Sequence, residues 1–235
     1  RGRANANKLM GRVLLALSKK FDFRLCSIEG GSKDNAIPRE CVAVVCGQEP
    51  DVVPAKLAKL SAELSAELCA EDAGFGVQCA TVELPAVCLD EQSTARVICA
   101  IATVAVGVLA MSNNIEGLVE YSRNLGIIRT EQGSVHLTLS SRSAIESQLD
   151  ASINELDALA ALCAGSARHH SRYPGWSYAE KSAIRDCYAK CYEELYGERP
   201  EILTIHAGLE CGVISEMLKG LDVISCGPVV LDLHS

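Results

Sequence analysis

The chain has 235 residues, 49% of them hydrophobic and 22% charged, with a formal net charge of -8. That length holds one large or two small domains, and mild acidity without a basic, aromatic-interleaved stripe argues against nucleic acid as a partner. The longest charge-free apolar run, residues 97–111, is shorter than the roughly 18–20 residues that span a bilayer, which argues against a membrane protein and for a buried helix or a helix followed by a strand.

In chain order, residues 4–20 read as a helix with Leu9, Val13, Leu14 and Leu17 on one face. "FRLCSIEGG" reads as a strand entering a Gly-Gly turn, and "AIPRECVAVVC" as a second strand with Pro38 near its start. Leu57, Leu60, Leu64 and Leu68 mark a helix that Asp51 is placed to cap, and "VQCATVEL" reads as a strand. After Asp90 the periodicity predicts an apolar helix of about ten to fifteen residues. "GLVEYSRNLGIIRT" and "SVHLTLSSRS" form an antiparallel pair across "EQG". Ser143 with Glu146, and Ser177 with Glu180, read as capping boxes of two further helices, separated by the irregular "HHSRYPGWS". "EILTIH", the "AGLECG" turn, a short helix and "LDVISCG" complete the chain as strand, turn, helix and strand.

Residues 1–170 thus alternate helices with antiparallel strands, the pattern of an α+β sandwich, whereas residues 177–235 read as a fragment of a parallel α/β sheet. Parallel strands need both faces covered, so the second piece is expected to dock on strands outside this sequence. None of the twelve cysteines forms a C-x-x-C pair. Cys26, Cys41, Cys99 and Cys226 sit singly in apolar company, as small buried hydrophobes do in a reduced cytosol. Cys187 and Cys191, one helical turn apart, fall on a stripe with Ile184, Tyr188 and Leu195, which reads as core before it reads as a metal site.

Ligands of α/β sheets gather where strands end and helices begin. There His206 closes a strand, Gly208 and Gly212 admit close backbone approach, and Glu210 sits at the tip. On residues alone the turn reads equally as an acid-capped helix start or as a pocket wall. Asn35 in "GGSKDNAIPRE" is a hairpin-loop residue or an amide donor and acceptor. Arg142 is a surface arginine or a two-pronged carboxylate clamp. A lone terminal His234 is weak as a metal ligand, because one histidine cannot hold a zinc.

"GRANANKLM", "GGSKDNAIPRE", "GLVEYSRNLGI", "VHLTLSSRSAIES", "YPGW" and "IHAGLECGVI…LDVISCGP" follow one another in one order and at one spacing. Together they resemble the bacterial aminoacyl-histidine dipeptidases (Xaa-His dipeptidases, peptidase D), a branch of the dinuclear-zinc carnosinase and aminoacylase superfamily. The resemblance implies an α+β lid domain, an enlarged ferredoxin-like sandwich over residues 1–172, used for homodimerisation. It is followed over 173–235 by a C-terminal segment of an α/β zinc-peptidase catalytic domain. It implies a cytoplasmic enzyme that cleaves dipeptides with two zinc ions. It places most of the zinc ligands, the general base and a lid histidine in an N-terminal catalytic half upstream of Arg1. Carried over by position, His234 is a zinc ligand, Arg142 holds the substrate carboxylate and Asn35 lies near the scissile carbonyl. Glu210, with His206 and Gly208, lines the substrate pocket. Tyr121 stands where the family usually has Thr, which puts any polar contact there in doubt. An aminoacylase or tripeptidase is disfavoured because "HAGLECG" is not their usual turn. A reading of another class is that the isolated chain is a non-catalytic lid and dimerisation module without a metal centre.

Overall fold

A computed structural model describes residues 3–48, 51–113, 115–176, 178–203 and 210–227. The chain opens with α1 (Ala6–Ser18), where Asn5 Oδ1 accepts the Lys8 backbone N–H at 3.0 Å and so caps the helix. Strands β1 (Phe23–Gly30) and β2 (Cys41–Gly47) pair antiparallel from Phe23 opposite Gly47 to Gly30 opposite Cys41, with a bulge between Leu25 and Ser27. Helix α2 (Val53–Ser65) and a short 3-10 turn at Ala70–Asp72 follow. Helix α3 (Glu91–Thr103) begins at Asp90, whose carboxylate accepts the Ser93 N–H at 2.7 Å. Then come β3 (Gly107–Met111), β4 (Val119–Glu131), β5 (Ser134–Ser143), α4 (Glu146–Leu162), α5 (Ala183–Tyr196) and α6 (Glu210–Met217). The five strands make one sheet in the order β2-β1-β4-β3, with β5 also paired to β4. This is an α+β architecture built on an antiparallel sheet.

The chain divides into two compact units: residues 1–109, 122–141 and 151–168, and residues 110–121, 142–150 and 169–235. The first is held by two apolar clusters. Leu14, Leu25, Ile28, Ile98, Ile101 and Leu125 pack where α1 and α3 cover the sheet, and Leu9, Val13, Leu17, Leu57 and Leu64 join α1 to α2. Both draw on the apolar face that periodicity predicted for α1, because positions three and four apart share one side of a helix. Lys8 ties α1 to the end of α3. Its Nζ donates to the carbonyls of Ile101 (3.1 Å), Ala102 (2.5 Å) and Val104 (2.6 Å), and burial lowers its pKa.

A charged group is fully enclosed on β4. The Arg123 side chain, on β4, has 0% exposure and meets the half-exposed Glu155 of α4 in a fork, Nη1 to Oε1 at 3.2 Å and Nη2 to Oε2 at 2.8 Å. Its Nε also donates to Ser141 Oγ at 3.2 Å, and Nη2 to Ser152 Oγ at 3.0 Å. This fixes α4 against the β4–β5 pair.

Several sequence expectations need correction. Asp51 does not cap α2: the residue before the helix is Val52, with no side-chain cap, and Pro54 occupies its first turn. "VQCATVEL" is irregular because no strand pairs with it, and Pro38 lies in the loop before β2 rather than in it. Ser143 and Glu146 do not form a capping box: the Ser143 hydroxyl accepts the Ile145 N–H (3.0 Å), ahead of the first turn of α4, and donates to Gln148 Oε1 (2.7 Å), while Glu146 pairs with Arg172. Helix α5 starts at Ser182, which caps through the Arg185 N–H, and not at Ser177, which lies outside the described residues. None of the twelve cysteines is buried, and Cys187 and Cys191 face solvent beside Ile184 and Leu195 rather than forming core. Residues 201–203 and 221–227 are irregular where strands were expected, as segments without a ladder partner must be.

Candidate functional site

The loop carrying Asn35, residues 31–40, lacks regular structure, yet side chains and backbone of its own unit anchor it throughout. Arg129 donates to the carbonyls of Gly30 (3.2 Å) and Gly31 (2.5 Å), and the Pro38 carbonyl accepts the Ala6 N–H at 3.1 Å. Asn124 Nδ2 donates to the carbonyls of Asp34 (2.9 Å) and Ala36 (2.8 Å). The loop lies directly on β4: a Cβ on Gly126 would sit 2.5 Å from the Asp34 carbonyl oxygen. Gly31, at φ +69°, takes the left-handed turn that lets the chain leave β1. Asn35 itself is exposed, and its amide has no partner among the described residues.

Arg142 and Glu210 belong to the second unit. Arg142 is the penultimate residue of β5, exposed, with its guanidinium unpaired among the described residues. Contrast Arg172, which is spent on the carboxylates of Glu146 and, at 2.8 Å, Asp150. Glu210 is the exposed first residue of α6, where an acid suits the positive end of the helix dipole. The "YPGW" segment links the two elements. The Gly175 N–H donates to Glu146 Oε2 at 3.0 Å, and a Cβ at Gly175 would lie 2.3 Å from the Ala144 carbonyl oxygen. A Cβ at Gly212 would lie 3.1 Å from the Pro174 carbonyl oxygen and 3.4 Å from the Trp176 Cβ. The start of α4, just beyond Arg142, and the start of α6, at Glu210, are therefore seated on one strap.

His206, Gly208 and His234 lie outside the described residues. Among the described residues no group of three or more His, Cys, Asp or Glu could hold a metal ion. The described side chains therefore do not by themselves fit a dinuclear zinc site, and no chemical step can be assigned through one here. No helix among the described residues is long and apolar enough to cross a membrane. The supports Asn124, Gly126 and Arg172 escaped the sequence reading, whereas Gly212 was read there as a glycine of close backbone approach. For Asn124 and Gly126 the only signal was an asparagine and a glycine within an otherwise ordinary strand.

Residues 2–72 match the family model described as "Peptidase dimerisation domain", the part of the chain that contains α1, β1 and β2. Over 236 aligned residues, all of this chain and 49% of the relative, it is 30% identical to the cytosol non-specific dipeptidase of Escherichia coli (strain K12). The crystal structure of aminoacylhistidine dipeptidase from Vibrio alginolyticus superposes with a TM-score of 0.83 at 36% identity, over 92% of this chain and 44% of that one. The chain is thus similar to a part of each of two dipeptidases, and its first third matches a peptidase dimerisation domain. It spans about half the length of both.

Proposed function

We propose that this chain is the lid and a C-terminal catalytic segment, residues 1–172 and 173–235, of a cytosolic homodimeric dipeptidase that hydrolyses aminoacyl-histidine dipeptides. Arg142 is the residue on which this reading turns. A guanidinium left unpaired at the end of a strand, when Arg123 and Arg172 are both consumed by carboxylates, is available to take a substrate carboxylate in a bidentate fork. Such a clamp fixes the distance from the chain terminus to the cleaved bond and so selects dipeptides. Asn35 offers an amide to the scissile carbonyl, and Glu210, with His206 and Gly208, offers negative charge to the substrate's ammonium group. The two zinc ions implied by the resemblance belong to the full-length enzyme, with His234 as this chain's contribution to them.

The test is Arg142→Ala in the full-length protein. Losing a charge-assisted contact to a buried carboxylate costs about 2–5 kcal/mol, on the order of 30-fold or more in kcat/KM. The variant should lose that factor on a free dipeptide but not on the same dipeptide with its carboxylate amidated, and equal activity on the free dipeptide would remove Arg142 from the site. The two relatives' names divide between non-specific and aminoacylhistidine activity. Comparing histidine-containing with histidine-free dipeptides decides which this protein follows.

A second reading is favoured by the dimerisation-domain match. In it the isolated 235-residue chain is a non-catalytic lid and dimerisation module. Robust zinc-dependent turnover by the purified chain would refute it.

A further inference from the structure

We propose that Asn124 is a positioning residue for Asn35, holding the catalytic loop through the two carbonyls that flank it. This rests on the reading of Asn35 as the amide beside the scissile carbonyl. Asn124 Nδ2 donates to the carbonyl of Asp34 at 2.9 Å and to that of Ala36 at 2.8 Å, so both amide hydrogens are used on the residues either side of Asn35. Its Oδ1 accepts from Asn5 Nδ2 at 3.0 Å, and Asn5 Nδ2 also donates to the Leu125 carbonyl at 3.0 Å. Asn5 Oδ1 is in turn occupied as the cap of α1. The orientation of the Asn124 amide is thereby set: a flipped amide would press Oδ1 against two carbonyl oxygens.

The Asn124 side-chain amide is spent on other groups of the protein, whereas the amide of Asn35 is exposed and without a partner among the described residues. A loop without secondary structure has no ladder to hold its backbone, so the carbonyls of Asp34 and Ala36 need donors from elsewhere, which one nitrogen with two hydrogens can supply. Asn124 meets that demand from a rigid strand. The arrangement matches what a reactive amide needs, a support whose own polar atoms are spent.

The experiment is a double-mutant cycle on the full-length enzyme, reading kcat on a dipeptide for wild type, Asn124→Asp, Asn35→Ala and the pair. Asn124→Asp keeps the acceptor for Asn5 and sets a carboxylate oxygen against two carbonyls. Misplacing a substrate-facing group is expected to cost about tenfold or more in kcat. If Asn124 acts through Asn35, that factor shrinks to about twofold or less once Asn35 is alanine, because coupled residues are not additive. An equal factor in both backgrounds, or no loss in either, overturns the positioning role. A normal kcat for Asn35→Ala is a different result, and it removes the reading of Asn35 itself. If Asn124→Asp does not fold, Asn124→Ala enters the same cycle with the same outcomes.

Discussion

The Arg123–Glu155 fork predicts an asymmetry that a simple count of lost bonds does not. The Arg123 side chain is wholly enclosed, whereas the Glu155 side chain is 53% exposed. Glu155→Ala therefore strands a cation that cannot reach water without moving α4, while Arg123→Met leaves a carboxylate that can turn outward. The serines survive the second change, since Ser152 Oγ donates to Ser141 Oγ at 2.9 Å. Stranding one partner of a fully buried pair costs about 3–5 kcal/mol, and replacing such a group with a well-packed apolar one is often neutral. Partial access of water at Glu155 lowers the first figure to about 2–3 kcal/mol. Methionine fills most of the volume of the arginine stem, so the second should stay within about 1 kcal/mol. For a domain of this size that is a fall in Tm of about 4–12 °C for Glu155→Ala and a few degrees at most for Arg123→Met. Thermal and urea unfolding of both variants, followed by far-UV circular dichroism, measures it. If Arg123→Met is the more damaging of the two, the guanidinium stabilises α4 through its hydrogen bonds, and the argument from desolvation is wrong.

The same pair carries a pH signature. The hydrogen bond from Arg123 holds the Glu155 carboxyl below its usual 4.5. A depressed folded pKa means the stabilisation is complete above 4.5 and disappears as pH falls through the lower folded value. Glu155→Gln should therefore flatten the loss of Tm from about pH 5 to pH 3 relative to wild type, and parallel curves would contradict it. Gly126→Ala puts a Cβ 2.5 Å from the Asp34 carbonyl oxygen, so the loop must retreat by about 0.9 Å to reach an ordinary 3.4 Å contact. In the full-length enzyme kcat should fall by up to about 100-fold while the lid stays folded, and an unchanged kcat would sever the loop from catalysis. Lys8→Met removes a donor shared by three carbonyls at the end of α3 and should cost about 1–3 kcal/mol in urea unfolding. No measurable change would mean that water replaces the ammonium there.

What was legible in the sequence were the elements whose signal is local. Helices α1 and α3 announced themselves by apolar spacing and by Asp90 at the start of α3, and β4 and β5 by alternation around the Gln132-Gly133 turn. The errors arose where a local pattern depends on a distant partner. "VQCATVEL" alternates as a strand should but has no neighbour to pair with, and the same holds for residues 201–203 and 221–227. The cysteines sit in apolar sequence without being enclosed, because the number of apolar neighbours in sequence says little about which face of an element is covered. Arg123 is the converse: a charged residue in a strand reads as exposed, and only the approach of Glu155, 32 residues later, makes its enclosure tolerable.

That contrast also explains why the candidate site was half visible. Arg142 lies at the end of a regular strand, so alternation and the helix that follows place it without any knowledge of tertiary structure. Asn35 lies on an irregular loop, and everything that fixes the loop is remote in sequence: Asn5, Asn124, Gly126 and Arg129. A loop in a protein must satisfy its carbonyls from somewhere, and here nearly all the donors come from α1 and β4. A residue such as Asn124 can therefore look like ordinary strand filling and still govern the geometry of a loop about 90 residues away in the chain. For a site of this construction, the donors to loop carbonyls are where substitutions distant from the substrate should alter kcat, and the substrate-facing residues alone give an incomplete map of it.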